Sequence, residues 1–255
     1  MQVDVVTAVH ASHAGFLPAV WRSLLYQSHT RWRWLIQIDG PPSEARAVLT
    51  ACAALDDPRV LVASHTTSEG PAVTRNVALG RASAPLVQNV DADDELEPDA
   101  LAVLVTALND HPDAGYAVGH ARDLMIDGLM VDHPLPFLPG TLPRGALLPA
   151  WRTDPADYRV PVHPAGVMWR RSLLVALGGW SALQGMEDTG VLMAASAAAE
   201  GVLVDAATLR YRRHVAQRSK RTSKFAGGGA QIALIRERAA VLSSLPPWSR
   251  DPDLP

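Results

Sequence analysis

The chain has 255 residues, 48% hydrophobic and 19% charged, enough to bury the core of one large domain or of a domain with a small appendage. A formal net charge of -3 provides neither the basic surface that binds nucleic acid nor an acidic interaction tail. The single cysteine, Cys52, excludes an intrachain disulfide and a cysteine metal cluster, and no apolar run reaches the roughly 18 residues of a membrane span. Since no signal peptide precedes the first strand-like segment, we expect a cytoplasmic protein without a transmembrane anchor.

The first part of the chain alternates predicted strands with predicted helices. The strands cover residues 3–9, 34–38, 59–63 and 86–90, and the helices cover residues 16–27, 43–55, 72–81 and 98–109. Ser43 is placed to cap the second helix, and Pro71 suits the first turn of the third. The alternation is typical of βαβ units, so it predicts an α/β fold with a mostly parallel central sheet flanked by helices.

The pattern is weaker in the second part of the chain. Prolines predict an ordered loop or lid over residues 127–161, and basic and glycine residues predict a mobile segment over 215–229. The remaining predicted elements are strands at 116–120, 167–169, 202–204 and 208–211, and helices at 171–177, 187–200 and 230–242.

Acidic residues follow the predicted strand at 86–90. Asp91 and Asp93 stand two positions apart at the carboxyl end of a strand, where open α/β sheets bind their ligands. If the chain turns there, both carboxylates can reach one hard cation, which could in turn hold a diphosphate. The alternative is a solvated acidic loop that caps the following helix, and this stretch by itself does not decide between the two.

Several motifs together resemble those of the family 2 glycosyltransferases, which have the Rossmann-like GT-A fold. They are Gly70-Pro71-Ala72-Val73-Thr74-Arg75-Asn76, Asp91-Ala92-Asp93-Asp94, Gly178-Gly179-Trp180, Glu187-Asp188 and Tyr211-Arg212-Arg213-His214. An Asp-x-Asp motif alone is common, but the order and spacing of the whole set cover about residues 3–219 and make the resemblance fairly specific.

The resemblance implies how the chain is divided. It predicts one GT-A domain over residues 1–229, with a nucleotide-sugar-binding half at 1–112 and a smaller acceptor-binding half at 113–229. A C-terminal helix and tail would occupy residues 230–255. In such an enzyme the segment 215–229 is expected to close over the bound donor.

The resemblance also implies an activity. A sugar would pass from a nucleoside diphosphate sugar, typically a UDP-sugar, to a hydroxyl group of a small molecule, a natural-product scaffold or a glycan. The transfer would be a single inverting displacement that depends on Mn²⁺ or Mg²⁺, because a cation stabilises the charge that develops on the departing diphosphate.

On the donor side, the resemblance assigns seven residues to nucleotide-sugar binding: Thr7, Ala8, His10, Asp39, Arg75, Asp91 and Ala92. Asp39 would accept a hydrogen bond from the nucleobase, and Arg75 would reach the diphosphate or the ribose. Asp91 would touch the ribose or a metal-bound water. The alternatives are that Asp39 forms the turn before Gly40, that His10 caps the next helix, and that Arg75 is a surface arginine.

The resemblance implies a cation site built from Asp93, Asp91 and His214. Asp93 is the first choice for a direct ligand, since carboxylate oxygens suit both Mg²⁺ and Mn²⁺. An imidazole such as His214 suits Mn²⁺ better than Mg²⁺. The alternatives are a solvated basic run around His214 and a helix-capping role for Asp94.

The pair Glu187-Asp188 matches the catalytic pair of the family. Asp188 would be the general base, because the acceptor hydroxyl must lose its proton as the new bond forms, and Glu187 would orient the acceptor. The alternative is that both residues only complement the dipole of the helix that they begin. Aromatic and histidine side chains that could line the acceptor site are Trp151, Tyr158, His163 and Trp180, although Trp180 could equally belong to the core.

Two other functions share some of these sequence features. A sugar-phosphate nucleotidyltransferase has a similar sheet, but it opens with a glycine-rich loop ending in arginine and lysine, whereas this chain has His10-Ala11-Ser12-His13-Ala14-Gly15 there. A catalytically inactive nucleotide-sugar-binding module is disfavoured because both Asp93 and Asp188 are present. The Gln-x-x-Arg-Trp motif of processive synthases is missing, so a non-processive enzyme is expected.

Overall fold

The structure, a computed structural model, describes residues 1–215, 217, 225 and 229–250. The strands are β1 (Val3–His10), β2 (Trp32–Asp39), β3 (Val60–Ser64), β4 (Leu86–Asn89), β5 (Glu95–Leu96), β6 (Ala114–Leu124), β7 (Met130–Asp132), β8 (Gly140–Leu142), β9 (Met168–Arg170) and β10 (Glu200–Arg212). The α-helices are α1 (Leu17–Leu25), α2 (Ser43–Ala51), α3 (Pro71–Arg81), α4 (Ala100–Asp110), α5 (Leu147–Ala150), α6 (Arg171–Ala176), α7 (Glu187–Ala198) and α8 (Ala230–Ser244). Short 3-10 helices cover Ala11–Phe16, Ala54–Asp56, Pro155–Asp157 and Pro164–Gly166.

One sheet runs through the described residues in the order β3-β2-β1-β4-β9-β6-β10-β5, with β7 paired to β6 and β8 paired to β10. The pairs β2–β3, β1–β2, β1–β4 and β6–β10 are parallel. Strand β9 lies antiparallel between β4 and β6 and so joins the two parallel parts. This arrangement confirms the predicted α/β fold with a mostly parallel central sheet.

Apolar clusters cover both faces of the sheet, as expected where parallel strands are sandwiched by helices. On one face, Val5 and Ile36 pack with Leu24 of α1 and Leu104 of α4. The other face has a cluster of Val6, Leu35, Leu79, Leu174, Leu192 and Ile235, contributed by β1, β2, α3, α6, α7 and α8. The C-terminal helix α8 therefore belongs to the packing of this domain.

The predicted element bounds need four corrections. The first predicted helix begins as the 3-10 helix Ala11–Phe16 and becomes α-helical only at Leu17. Ser43 is the first residue of α2 rather than its cap, because Pro42 occupies the cap position without a side-chain hydrogen bond. The strand-like segments at 202–204 and 208–211 are one strand, β10, whose register against β6 shifts between Leu203 and Leu209.

The fourth correction concerns residues 127–161, which contain regular elements as well as loops. Strand β7 pairs with β6, and β8 pairs with β10, so two short antiparallel additions anchor this segment to the sheet. Helix α5 and the 3-10 helix Pro155–Asp157 follow. Prolines between the elements keep each of them short. Most of the segment 215–229, which is predicted to be mobile, lies outside the described residues.

The topology brings the polar strand ends to one edge of the sheet. Because β1 and β2 are parallel and in register, His10 lies beside Asp39 at their carboxyl ends. Strand β4 runs parallel on the other side of β1 and leads directly to Asp91. No helix in the described ranges is long and apolar enough to cross a membrane.

Candidate active site

A cavity of about 490 Å³ opens at the carboxyl ends of β1, β2 and β4. Its lining residues are Ala8, Val9, His10, Ser12, His13, Asp39, Ser68, Gly70, Pro71, Arg75, Asp91, Ala92, Asp93, Gly185, Glu187, Asp188, Tyr211 and Gln217. Most of the residues predicted to bind donor or cation or to act in catalysis therefore share one cavity. The two that are not among its lining are Thr7 and His214.

The side chain of Thr7 serves the packing of β1. It is fully buried, its hydroxyl donates to the Val90 carbonyl oxygen at 3.0 Å, and it accepts the Trp34 indole N–H at 2.9 Å. Of its predicted companions, Ala8 and His10 do line the cavity. The His10 imidazole accepts the Ser12 backbone N–H at 3.2 Å and so caps the 3-10 helix, as the alternative interpretation predicts.

Asp39 ties the end of β2 to the loop that begins α3. Its carboxylate accepts the Glu69 backbone N–H at 2.7 Å, the Ser68 hydroxyl at 2.9 Å and the Gly70 backbone N–H at 3.2 Å. Burial alone would raise the pKa of Asp39, but these hydrogen bonds favour the charged form and lower the pKa below its usual value. The Asp39 carboxylate, held by these hydrogen bonds, lines the cavity from the β2 side.

Arg75 connects Asp91, which follows β4, with Glu187 and Asp188 at the start of α7. It is buried on α3, so the surface-arginine alternative is wrong. Its Nη2 lies 2.6 Å from Asp91 Oδ1, while its Nη1 lies 3.3 Å from Asp188 Oδ1 and 3.8 Å from Glu187 Oε1. Burial opposes its charge, but Asp188, Asp91 and Glu187 outweigh that cost and raise the pKa of the guanidinium. One guanidinium therefore holds three carboxylates in place.

Asn76, the residue after Arg75, holds helix α3 in position. The Asn76 side-chain amide donates to the Trp180 carbonyl oxygen at 2.9 Å and accepts the Trp180 backbone N–H at 2.8 Å. Gly179, beside it, has a φ of +70°, and a Cβ there would lie 2.1 Å from Asn76 Oδ1. The Gly178-Gly179-Trp180 motif therefore lets the chain approach α3 closely enough for this paired contact.

Glu187 and Asp188 occupy the first turn of α7. Glu187 is buried, whereas the Asp188 side chain is 20% exposed towards the cavity. Burial is the largest influence on Asp188 and, although Arg75 opposes it, raises the pKa of its carboxyl to about 7, with Asp91 and Glu187 adding to the rise. A carboxyl group with this pKa can gain and lose a proton near neutral pH.

A cluster of two histidines and one aspartate forms the third part of the site. His214 Nε2 lies 2.8 Å from Asp93 Oδ2, and His13 Nε2 lies 4.0 Å from the same oxygen. The candidate ligand atoms of His13, Asp93 and His214 all lie within 4.8 Å of one another, and so do those of Asp91, Asp93 and Asp94. The predicted pairing of Asp93 with His214 is therefore present in space. His13 lies outside the motifs that resemble the family. Its place just after the end of the first strand is the sequence feature that could have indicated a role in the site.

Two neighbours of this cluster, Asp94 and Arg212, make contacts that stabilise the fold. Asp94 is buried and accepts the Arg212 backbone N–H at 3.0 Å, so it does not cap a helix. Burial raises the pKa of Asp94 well above its usual value, and the charges of Asp93 and Asp91 add to that rise. Arg212 donates through Nε to the Asp93 carbonyl oxygen at 3.0 Å and pairs with Glu95. The basic run after β10 is thus partly structural.

The residues predicted for an acceptor site are not among the lining of the cavity. Trp151 and Trp180 are buried in the second apolar cluster, as the core alternative predicts for Trp180. The Trp180 side chain also hydrogen-bonds the Asp188 carboxylate, so this residue borders the site as well. The hydroxyl of Tyr158 lies 3.1 Å from the Thr189 hydroxyl, and the His163 ring packs 4.3 Å from the Tyr211 ring. Of these rings only Tyr211 lines the cavity.

A family model and a relative in sequence match this chain. The model of the family "Glycosyl transferase family 2" matches residues 4–173, which is most of the chain. An uncharacterized protein of Sinorhizobium fredii, y4gI, is 31% identical over 113 residues, which are 44% of this chain and 12% of that protein.

Solved structures share the fold. TarS of S. aureus in complex with UDP-GlcNAc matches with a TM-score of 0.71 and 17% identity, over 95% of this chain and 66% of that one. The mannosyltransferase PcManGT from Pyrobaculum calidifontis, in complex with GDP-Man and Mn²⁺, matches with a TM-score of 0.59 and 17% identity, over 95% and 62%. This chain therefore spans somewhat less than two thirds of the length of each structure, and the likeness confirms the GT-A fold.

Proposed function

The chain belongs to glycosyl transferase family 2, and we propose that it is an inverting, metal-dependent enzyme. Its donor would be a nucleoside diphosphate sugar, typically a UDP-sugar, and its acceptor a hydroxyl group of a small molecule or glycan. The complexes of its fold relatives with UDP-GlcNAc and GDP-Man support a nucleoside diphosphate sugar as the donor.

The observation that carries the proposal is the link between Asp188 and Asp91 through Arg75 in one cavity. Arg75 joins the carboxylate proposed as the base to the carboxylate that begins the Asp-x-Asp motif. A pKa near 7 lets Asp188 take a proton from an acceptor hydroxyl and later release it to water. With the donor held at Asp39, Asp91 and Asp93, a hydroxyl beside Asp188 would attack the sugar from the face opposite the departing diphosphate, which inverts the anomeric centre.

The residues present fit a divalent cation. Asp93 and His214 lie within hydrogen-bonding distance of each other, and the acidic ligand atoms of Asp91, Asp93 and Asp94 lie within 4.8 Å of one another. When bound, the cation would supply Lewis-acid stabilisation of the diphosphate leaving group. The Mn²⁺ in the PcManGT complex supports this interpretation. Glu187, which lies 3.8 Å from Arg75 Nη1, would orient the acceptor.

A thermal-shift screen tests the proposal. Purified protein is mixed with UDP-, GDP- and other nucleotide sugars, each with Mn²⁺, with Mg²⁺ and with a chelator. A ligand at about 100 times its Kd adds about 2.7 kcal/mol of stability. For a protein of this size that corresponds to a rise in Tm of about 5–10 °C.

The matched variant is Asp93→Ala, which should lose the metal-dependent part of the shift. The proposal is overturned if no nucleotide sugar raises Tm with either cation. The metal assignment alone fails if the chelator and Asp93→Ala leave the shift with UDP unchanged.

A further inference from the structure

We propose that His13 is a third protein ligand of the cation at Asp93 and His214, so that two imidazoles and one carboxylate hold the ion. The inference rests on the proposed function, because this ion is the one that would hold the donor diphosphate. It concerns a residue outside the motifs by which the chain resembles its family.

The three side chains converge from distant parts of the chain. His13 comes from the 3-10 helix after β1, Asp93 from the turn after β4, and His214 from the segment after β10. Ligands about 2.1–2.2 Å from a metal ion stand roughly 3 to 4.4 Å apart, depending on the angle between them. The observed separations from Asp93 Oδ2 are 2.8 Å and 4.0 Å, and all three ligand atoms lie within 4.8 Å of one another, so only small shifts are needed to reach that geometry.

Hydrogen bonds fix which nitrogen of His13 faces the cluster. The Ser12 backbone N–H donates to His10 Nδ1, so that nitrogen is an acceptor. The Ser12 hydroxyl lies 2.9 Å from the same nitrogen and 3.0 Å from His13 Nδ1. Ser12 Oγ can accept a hydrogen bond from a His13 Nδ1–H, and in that tautomer Nε2 turns a lone pair towards the cluster.

This arrangement suits a positive charge. In that tautomer the Nε2 lone pair of His13 lies 4.0 Å from Asp93 Oδ2, the same oxygen that lies 2.8 Å from His214 Nε2. A cation bound among these three atoms would be attracted by both imidazole lone pairs and by the carboxylate charge. A hydrogen bond to the opposite ring nitrogen, as Ser12 provides here, is also the usual way in which proteins orient a metal-bound histidine.

Aromatic packing holds both imidazole rings in place. The Phe16 ring lies 4.9 Å from the His214 ring and 6.3 Å from the His13 ring, and the two imidazoles meet edge to face at 5.9 Å.

A second imidazole ligand changes which metal ion the site prefers. Nitrogen ligands bind Mn²⁺ and Co²⁺ more readily than Mg²⁺, which prefers oxygen and water. The chain should therefore discriminate against Mg²⁺.

The test measures binding of the metal ion alone and with UDP, by counting free Mn²⁺ with electron paramagnetic resonance and by calorimetry for Mg²⁺. His13→Gln should weaken Mn²⁺ binding by at least about tenfold, the scale on which disturbed metal sites lose affinity. Mg²⁺ affinity should change by less than about threefold. The matched control is His133→Gln, since His133 also lies beside a carboxylate, 3.2 Å from Asp123, but outside the cavity lining.

The outcomes separate the two proposals. If His13→Gln binds Mn²⁺ as tightly as the wild type, His13 is not a ligand and the proposed function stands. If the wild type binds no Mn²⁺ with or without UDP, the inference and the metal-dependent function both fail. Should His13→Gln not fold, pulsed electron paramagnetic resonance of Mn²⁺ in the histidine-¹⁵N-labelled wild type gives the answer, because two coordinated imidazoles are expected and one would overturn the proposal.

Discussion

Replacing Arg75 by glutamine removes the only guanidinium that Asp188, Asp91 and Glu187 share among the described contacts. The Arg75 Nη1 to Asp188 Oδ1 distance is 3.3 Å, which at an effective dielectric constant of about 20 corresponds to about 5 kcal/mol of attraction. One pKa unit equals about 1.36 kcal/mol, so this attraction has an upper limit of about 3.7 units. Because the Asp188 side chain is 20% exposed and water can enter the cavity, we expect about 1–2 units.

The pKa of Asp188 should therefore rise from about 7 to about 8–9 in Arg75→Gln. The assay is a carbon NMR titration of protein labelled at the aspartate carboxyl carbons, with the Asp188 resonance identified by its loss in Asp188→Asn. Arg75→Lys keeps the charge and should leave the pKa near 7. Arg81→Gln is the control on the same helix, since Arg81 donates to the Ile36 carbonyl oxygen rather than to a carboxylate.

The kinetic consequence has a definite sign. A base must be deprotonated, so activity falls as the pH drops below its pKa, and a higher pKa moves that fall to higher pH. At pH 7, Arg75→Gln should lose about 5- to 50-fold in transfer rate from protonation of Asp188 alone. If Asp188 titrates at the same pH in Arg75→Gln as in the wild type, Arg75 does not set the charge of the proposed base.

Three further predictions concern catalysis, packing and pH. Asp188→Asn should reduce transfer by at least about 100-fold while calorimetry shows UDP binding unchanged, and a wild-type rate would remove Asp188 from the role of base. Gly179→Ala should lower the free energy of unfolding in urea by about 2–4 kcal/mol, because its φ of +70° is strained for alanine and its Cβ would break the paired hydrogen bonds of Asn76. Gly80 is the control, since it lies inside α3 and a Cβ added there would have no heavy atom within 4 Å. Gly80→Ala should raise the free energy of unfolding by about 0.5–1 kcal/mol. Equal losses of stability in the two variants would contradict the packing argument. Burial lowers the pKa of His163 from its usual value to about 4, so the stability that its neutral form contributes is present above pH 6.5 and is lost as the pH falls towards 4. The free energy of unfolding should therefore decline less steeply over this pH range in His163→Gln than in the wild type. An unchanged dependence of the free energy of unfolding on pH would refute this prediction.

Local patterns explain why the sequence predicted the fold class and the position of the cavity. Alternating strands and helices required parallel strands, and parallel strands end at one edge of the sheet. Asp39, Asp91 and Asp93 could therefore be placed together without coordinates.

Contacts between distant segments explain what the sequence did not predict. The helical period places Arg75 on the same face of α3 as the buried Ala72, Ala78 and Leu79, but its partners Glu187 and Asp188 come from a distant segment, and no local pattern predicts that contact. His13 comes within 4.0 Å of Asp93 from the 3-10 helix Ala11–Phe16, a short element that the sequence pattern did not predict. The strands β7 and β8 depend on pairing with β6 and β10, and the short runs between prolines carry no signal of that register.

Helix α3 is the element on which the two sides of the cavity depend. The loop before it is fixed by the Asp39 carboxylate, its buried Arg75 holds Asp91 and Asp188, and Asn76 fixes the chain just before α7. A cluster of one buried guanidinium and three carboxylates is weak evidence for stability, because desolvating the charges offsets their attraction. Its geometry fits the proposed function instead: a single helix, α3, sets the distance between Asp91 and Asp188 that the proposed in-line transfer would require.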